Sequence, residues 1–186
     1  EPWPAGRFNH NLFDLNRDWF IQSQPETQGH AAQIRDWRPQ VVVDSHEMGT
    51  DSSFFFPPEA QPLNPLIAPS TLASRELIGR NTARRFDQQG IDYFSRKVFD
   101  AFYPGYGDGW PGYLGAVSMT YEQGSARGLV GRKTSGELLT YRETVRNHFV
   151  ASLSTIEASS TNHDRLLNAF YDFNRDGVAG RGAYVL

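Results

Sequence analysis

The sequence predicts an α/β domain, because its elements follow one another in the order helix, buried strand, helix, strand, helix. Three consecutive valines at residues 41–43 indicate a strand that is buried on both faces, as strands are inside parallel sheets. Apolar residues return with helical spacing between Leu138 and Ile156. With 186 residues, the chain is long enough for one domain with a buried core.

The composition narrows the class of protein. Hydrophobic residues make up 39% and charged residues 21% of the chain, which is typical of a soluble, globular protein. The formal net charge is -3, and the 18 basic and 21 acidic residues are mixed along the chain, so we expect neither nucleic acid nor a membrane as partner. There is no cysteine, and any metal must therefore be bound by His, Asp or Glu side chains.

The first predicted helix follows Ser23, which stands three residues before Glu26 in the spacing of a capping box. Pro25 falls in the first turn, where a proline is tolerated, and Pro39 stops the helix after about Trp37. The valine strand comes directly after this helix.

The middle of the chain alternates between loops and helices. Residues 51–69 contain five prolines and three consecutive phenylalanines, which predict an irregular, partly apolar loop. A long helix is predicted from about residue 70 to residue 89, ended by Gly90, and a shorter helix over 91–101. The stretch 103–115 is dense in Gly, Tyr and Trp, as binding loops are.

A second strand is predicted over residues 117–121, and it presents Glu122 at its end. Thr134 and Glu137 have the spacing of a capping box, so the C-terminal helix should begin at Leu138. This strand and this helix complete the α/β order.

The composition changes near the C-terminus, and we divide the chain into a domain over 1–157 and a linker or the start of an appended module over 158–186. The run from Asp172 to Gly177 matches the first six positions of an EF-hand calcium loop. The twelfth position is Ala183, where a bidentate carboxylate is expected, so a polar turn is the favoured interpretation.

Three positions carry side chains that are suited to chemistry. At the first, Asn16 and Arg17 are adjacent. An arginine beside an asparagine can bind a carboxylate through two parallel charged hydrogen bonds and an amide donor. The alternative is an ordinary solvated surface pair.

The second position is His46, which follows the valine strand at the end where ligands gather in open α/β sheets. A neutral imidazole on a rigid strand is well placed to bind zinc, and the alternative is a histidine with a structural hydrogen bond. Glu47 should point to the opposite face of the strand, so the two neighbours do not form a chelating unit.

The third position is Glu122. A carboxylate at the end of a strand, partly shielded by aromatic residues, can act as general base towards a metal-bound water. The alternative is a surface glutamate that closes a strand.

The order and spacing of these segments resemble the zinc metallocarboxypeptidases of the carboxypeptidase A type. The run Asp-Leu-Asn-Arg-Asp-Trp-Phe at residues 14–20 resembles the substrate-clamp segment of that family, and Pro-Glu-Thr at 25–27 resembles the start of the helix that follows it. Residues 41–46 resemble the strand that carries the third zinc ligand, and 117–122 the strand that ends in the catalytic glutamate. The resemblance covers about residues 5–155.

The resemblance implies a role for each matching residue. Asn16 and Arg17 would hold the C-terminal carboxylate of a peptide substrate, and His46 would bind zinc. Glu122 would take a proton from the zinc-bound water and later pass it to the leaving amine. Tyr103 is our choice for the mobile tyrosine that closes over the substrate in this family. The alternatives for this tyrosine are Tyr106 and Tyr113.

The chain also departs from the family. The first two zinc ligands of these enzymes lie in a His-x-x-Glu motif upstream of the clamp, and no residue before Asn16 supplies it. Because a catalytic zinc normally has three protein ligands, His46 alone implies weak or absent zinc binding. We therefore expect the C-terminal part of a catalytic domain, incomplete at its N-terminus and with little peptidase activity as given.

For the whole protein, the resemblance implies a mixed, mostly parallel sheet flanked by helices. It also implies a metalloprotease that hydrolyses a C-terminal peptide or amide bond with metal-activated water, secreted or periplasmic by family habit. Its substrate would be a peptide or peptide-like molecule with a free C-terminal carboxylate. The alternative is a non-catalytic module that uses Arg17 to bind peptide C-termini without metal.

Overall fold

The structure is a computed structural model that describes residues 7–180. The helices in this part of the chain are α1 (Pro25–Trp37), α2 (Pro69–Gln89), α3 (Tyr141–Thr161) and α4 (His163–Ala179). The strands are β1 (Val41–Met48), β2 (Phe54–Phe55), β3 (Ala60–Leu63), β4 (Tyr93–Phe94), β5 (Asp100–Ala101), β6 (Val117–Gly124), β7 (Val130–Arg132) and β8 (Leu138–Thr140). Short 3₁₀ helices cover Leu15–Arg17 and Trp110–Leu114.

The central sheet has four strands in the order β1-β6-β2-β4. β1 and β6 are parallel over their full lengths, β2 is antiparallel to β6, and β4 is parallel to β2. This confirms the mixed, mostly parallel sheet flanked by helices. Within residues 7–180, β1 stands at one edge of the sheet and pairs with β6 alone. The valines at 41–43 are for that reason half-buried instead of buried on both faces, which corrects the sequence interpretation.

The core is aromatic and lies between the sheet and the helices α2 and α3. Phe54 of β2 packs edge-on against Phe86 of α2, with ring centroids 5.0 Å apart, and against Tyr121 of β6. Ile78 and Met119 are fully buried beside them. Such edge-to-face pairs add to the stabilisation from burial, because the positive ring edge meets the negative face.

The predicted loop over 51–69 contains two short strands, β2 and β3, and Phe54 and Phe55 are among the most buried residues of the chain. A two-residue strand shows no periodicity, so its pattern cannot be separated from that of an apolar loop. The helix predicted over 91–101 is wrong, since β4 and β5 occupy that region. Arg96 and Val98 adopt positive φ there, of 59° and 68°, which a helix does not allow.

Neither predicted capping box forms. Ser23 donates a hydrogen bond to Asp18, and the N-cap of α1 is Gln24, which makes no capping bond. Thr134 donates to Asp51 and lies between β7 and β8, which form an antiparallel hairpin. The C-terminal helix begins three residues later than predicted, at a capping box formed by Thr140 and Glu143.

The C-terminal region is helical in the described part of the chain. α3 continues to Thr161, and Leu166 of α4 belongs to the core cluster. The calcium-loop-like run, from Asp172 to Gly177, lies inside α4, so the predicted polar turn is wrong. Ala183 lies outside the described residues, and the division of the chain after residue 157 stays a prediction. None of the helices within residues 7–180 combines the length and apolarity needed to cross a bilayer.

A buried ion pair connects α2 to the loop after β2. Arg75 Nη1 lies 2.9 Å from Glu59 Oε1, and the two side chains are only 1% and 2% exposed. Arg75 Nη2 also donates to Ser118 Oγ of β6, at 3.4 Å. Burial raises the pKa of Glu59, and the positive charge of Arg75 opposes that rise. The guanidinium therefore compensates a carboxylate that water cannot reach.

We predict that Arg75→Met lowers the free energy of unfolding by about 3–5 kcal/mol, because it leaves Glu59 buried without a countercharge. Denaturant unfolding followed by circular dichroism measures the change. Arg80→Met on the same helix is the control, since Arg80 pairs with Glu76 on the surface and the midpoint should stay unchanged. An equal loss in both variants would contradict this account of the buried pair.

Candidate functional site

One cleft brings together residues that are far apart in the sequence. It has a volume of about 340 Å³ and is lined by Asn16 and Arg17 from the first 3₁₀ helix, His46 from β1 and Glu122 from β6. Its other walls include Arg7, Phe55, Glu59, Tyr106, Asp108 and Thr120. A larger groove of about 730 Å³ lies elsewhere, between α2 and the C-terminal helices, and contains none of the predicted site residues.

The pairing of β1 with β6 sets His46 beside Glu122. The two strands are parallel, and the Cα of His46 is the register partner of the Cα of Glu122. Side chains of register partners lie on the same face of a sheet, and residues two apart in one strand share that face. Asp44 and its partner Thr120 therefore belong to the same side as His46 and Glu122.

His46 is held by two polar neighbours. Its Nε2 lies 2.7 Å from Asp44 Oδ2 and 3.1 Å from Asn16 Nδ2. The hydrogen bond between His46 and the accepting carboxylate of Asp44 raises the pKa of His46, and partial burial of the ring opposes the rise. Glu47, by contrast, accepts a hydrogen bond from Ser125 at 2.9 Å and is exposed. The adjacent His and Glu thus have separate partners, as strand alternation predicts.

Glu122 is partly buried, and one of its two carboxylate oxygens accepts no hydrogen bond from the described residues. Its Oε2 is buried and has no hydrogen-bond partner among residues 7–180. Burial raises the pKa of Glu122, while the charge of His46 lowers it and that of Asp44 raises it further. A carboxylate with a raised pKa is closer to the value that suits proton transfer near neutral pH.

The first 3₁₀ helix fixes the predicted clamp. Asp14 caps it by accepting a hydrogen bond from the backbone N–H of Asn16, at 3.0 Å, and also binds Arg7 Nε at 2.8 Å. Asn16 Oδ1 in turn accepts a hydrogen bond from Gly107 N–H at 2.6 Å. The clamp is therefore tied to the Gly-rich stretch 103–115 by the asparagine side chain.

The guanidinium of Arg17 stacks over the ring of Tyr106, with 4.5 Å between its Cζ and the ring centroid. The hydroxyl of Tyr103 donates to the backbone carbonyl of Arg17 at 3.1 Å. Tyr103 and Tyr106 also pack edge-on, with centroids 5.1 Å apart. Of the three candidate tyrosines, Tyr106 lines the cleft, Tyr103 contacts the backbone of the clamp, and Tyr113 does neither.

Sequence reasoning missed four residues at this site. Asp44 is two residues before His46, so strand alternation alone could have placed both on one face. Glu59 and Asp108 line the deep end of the cleft, and burial raises the pKa of Asp108 as it does that of Glu59. No local pattern marks these two, because each lies in a proline- or glycine-rich loop. Gly107 was noted only as part of a binding loop.

A zinc ion requires more ligands than the described residues bring together. Within residues 7–180, no group of three or more His, Asp or Glu side chains is arranged to hold a metal ion. His46 supplies one imidazole, and a catalytic zinc normally needs three protein ligands. The residues 7–180 by themselves therefore do not complete a zinc site.

Comparison with known proteins gives matches to structures only. The sequence matches no protein-family model and no curated protein. The crystal structure of a metallo-carboxypeptidase from Burkholderia cenocepacia matches with a TM-score of 0.62 and 14% identity, over 83% of this chain and 40% of that one. The crystal structure of thrombin activatable fibrinolysis inhibitor (TAFI) matches with a TM-score of 0.49 and 20% identity, over 79% and 36%.

The first of these matches supports a conclusion about the fold. It extends over 83% of this chain. The chain spans less than half the length of either matching structure. This chain therefore has a metallo-carboxypeptidase-like fold, over about two fifths of the length of the Burkholderia protein.

Proposed function

We propose that the chain is the part of a zinc metallocarboxypeptidase that holds the substrate C-terminus and supplies the general base. The observation that carries this proposal is the meeting of Arg17, His46 and Glu122 around one cleft. The reaction would be hydrolysis of a C-terminal peptide bond or a related amide. We keep the expectation of a secreted or periplasmic location as part of the same proposal.

Arg17 and Asn16 would bind the substrate carboxylate. The guanidinium of Arg17 is about half exposed, lies over the ring of Tyr106 and comes no closer than 4.0 Å to the carboxylate of Asp14, too far for a hydrogen bond. Its Nη1 donates to the backbone carbonyl of Asn16 at 2.8 Å, so Nε and Nη2 are the donors left for a bidentate bond to a second carboxylate. A stacked guanidinium is also weakly hydrated, which reduces the cost of binding an anion.

Glu122 would accept the proton of the attacking water and return it to the leaving amine. Its raised pKa and its unpaired Oε2 support this role, because a base must be free to accept a proton. Tyr103 remains our choice for the closing tyrosine, although its hydroxyl is bonded to the clamp backbone. Tyr106 is the alternative, because its side chain already lines the cleft, whereas Tyr103 does not.

Zinc would be the cofactor, with His46 as one of its ligands. Because the described residues do not complete its site, the remaining ligands would come from polypeptide outside residues 7–180. The chain alone would then bind zinc weakly or not at all and would show little activity. A non-catalytic module that binds peptide C-termini is the competing function, and the experiments below distinguish the two.

The surface supports completion of the domain by further polypeptide. In α3, Phe149, Leu153 and Ile156 are between 50% and 63% exposed, although the opposite side of the helix is packed against α2 and β6. These three residues share one face, since they lie four and three positions apart. His148, next to that face, lies 3.3 Å from the backbone carbonyl of His46 in β1, the edge strand of the sheet among residues 7–180.

An open strand edge beside an apolar helix stripe is the surface that a missing portion of a sheet domain would cover. The matched region covers only 40% of the metallo-carboxypeptidase chain. The remaining part of that fold is therefore large enough to cover such a surface. We therefore place the rest of the catalytic domain against β1 and the exposed stripe of α3.

We predict that Arg17→Ala weakens the binding of a short peptide with a free C-terminus at least about tenfold, because a charge-assisted hydrogen bond contributes about 1.5–3 kcal/mol. Chemical-shift titration of the isotopically labelled chain measures the affinity. The same peptide with an amidated C-terminus should bind the wild-type chain as weakly as the free acid binds the variant. The control is Arg142→Ala, on the exposed side of α3. Equal affinity for acid and amide would exclude the clamp.

We predict that Glu122→Gln, in the protein extended by the coding sequence that precedes Glu1, lowers kcat about 10²- to 10⁴-fold and leaves the zinc content unchanged. The loss follows from removing the proton acceptor, while Gln keeps the shape of the side chain. Steady-state hydrolysis and metal analysis provide the two readouts, with exposed Glu137→Gln as control. If the preceding sequence adds neither zinc nor activity, while Arg17-dependent peptide binding persists, the non-catalytic function is supported instead.

We predict that Phe149→Ala destabilises the extended protein by about 3–5 kcal/mol and leaves the stability of the present chain almost unchanged. Phe149 is 60% exposed here and would be buried by the rest of the domain. Denaturant unfolding of both proteins measures the difference. Leu66→Ala, at an exposed loop position, should be neutral in both. A small effect of Phe149→Ala in both proteins would show that nothing packs on this stripe.

A further inference from the structure

We propose that a polar pocket on the opposite side of β6 from the cleft binds a small organic ammonium ion. The pocket has a volume of about 310 Å³ and is lined by Gln123, by the loop 51–54, by residues 90–92 after α2 and by the first turns of α3. Glu122 and Gln123 are neighbours in β6, and neighbouring strand residues point to opposite faces of a sheet. The pocket and the cleft therefore share a strand but no lining residue.

Gln123 brings an unused hydrogen-bond acceptor to this pocket. The residue is only 2% exposed. Its Nε2 donates to the backbone carbonyl of Gly124 at 3.0 Å, and this bond fixes which end of the amide is nitrogen. The oxygen Oε1 is buried and has no hydrogen-bond partner among residues 7–180. Because a buried acceptor without a partner is unfavourable, a ligand that donates to this oxygen gains a bond that the described residues do not make.

The charges around the pocket favour a positively charged ligand. Three carboxylates and two cationic side chains line it: Asp51, Asp92, Glu143, Lys133 and Arg146. Three negative charges against two positive charges leave one negative charge in excess. A cation would compensate this charge, whereas an anion would add to it.

Two of the three carboxylates are already engaged in the fold. Asp51 accepts hydrogen bonds from the backbone N–H and the hydroxyl of Thr134, at 2.6 and 2.9 Å. Glu143 accepts the corresponding pair from Thr140, at 2.7 and 2.6 Å. These bonds lower the pKa of Asp51 and the pKa of Glu143, so both acids stay ionised near neutral pH.

The third carboxylate is available to a ligand. Asp92 is exposed, and it contacts β2 through its backbone carbonyl, which accepts from the N–H of Phe54 at 3.1 Å. This contact leaves the side chain of Asp92 to pair with a cation. The pocket thus offers a buried neutral acceptor on Gln123 and a charged acceptor on Asp92.

The acceptor and the charge together define the class of ligand. A primary ammonium group carries a positive charge and three N–H donors, so it meets both requirements. A quaternary ammonium ion has the charge but no donor, and a carboxylate has neither. The volume is about ten times the roughly 30 Å³ that one water molecule takes in the liquid, so a molecule of several heavy atoms fits. The site does not depend on the proposed peptidase function.

Chemical-shift titration of the isotopically labelled chain with n-propylammonium tests the proposal. The side-chain amide of Gln123 and the backbone amides of residues 90–92 should shift and reach saturation. Propionate has the same size but the opposite charge, and tetramethylammonium has the charge without an N–H donor. Each should bind at least about tenfold more weakly, because neither makes the charge-assisted hydrogen bond.

Two substitutions locate the binding site. Gln123→Met keeps the length of the side chain but removes the acceptor, and it should weaken propylammonium binding by about tenfold or more. Asp92→Asn removes one negative charge at an exposed position and should also weaken binding. Asp164→Asn is the matched control, because this side chain is 86% exposed on α4, away from the pocket, and its loss should leave the affinity unchanged. Backbone amide spectra verify that each variant is folded.

The proposal would be overturned if tetramethylammonium or propionate bound as tightly as propylammonium. Unchanged propylammonium binding in Gln123→Met would overturn it as well. If that variant does not fold, Asp92→Asn and the comparison of the two cations remain decisive. A titration without any saturable shift would show that the pocket holds water only, and would refute the site. None of these results bears on Arg17 or Glu122, so the proposed function stands or falls separately.

Discussion

The parallel pairing of β1 with β6 is the constraint on which the site depends. Eight consecutive register partners, from Val41 and Val117 to Met48 and Gly124, place His46 and Glu122 side by side. A slip of one residue in either strand would turn one of the two side chains to the opposite face of the sheet. Met119 and Tyr121 of β6 belong to the buried core cluster, and a slip of one residue in β6 would remove them from it.

The buried ion pair of Arg75 and Glu59 lies at the deep end of the cleft. Glu59 and Asp108 bring two carboxyl groups into a region where Arg75 supplies a single positive charge. Burial raises the pKa of both acids, and the charge of Arg75 opposes the rise in each. The same guanidinium that anchors α2 to the loop after β2 therefore acts on both carboxyl groups of the cleft floor.

Long elements with strong local signals could be predicted from the sequence, and short ones could not. The start of α2 was predicted to within one residue and its end correctly, because Gly90 is a strong local signal for the end of a helix. The position of α3 was wrong by three residues, since Thr134 and Glu137 mimic a capping box that Thr140 and Glu143 form. Two-residue strands such as β4 owe their conformation to tertiary pairing, which local propensity does not encode.

The residues of the candidate site also divide into those that a local sequence pattern marks and those that only the fold brings together. Asn16, Arg17, His46 and Glu122 were singled out because each stands at a strand end or beside a complementary side chain, and the structure brings them to one cleft. Asp44 was overlooked although its position in β1 was available from alternation. Glu59, Gly107 and Asp108 could not be found, because loops with no periodic pattern bring them to the cleft from distant parts of the sequence.

The side-chain amide of Asn16 contacts the loop at Gly107 with one end and His46 and Asp44 with the other. Its oxygen is held by the loop at Gly107, and its nitrogen lies against His46 and Asp44, while its own backbone carbonyl accepts a hydrogen bond from Arg17. If Arg17 binds a carboxylate as proposed, release of its guanidinium from that carbonyl would act on the one residue whose side chain also contacts His46 and Asp44. Under that proposal, anion binding and the orientation of the imidazole would be thermodynamically linked, and each would influence the other by the same free energy.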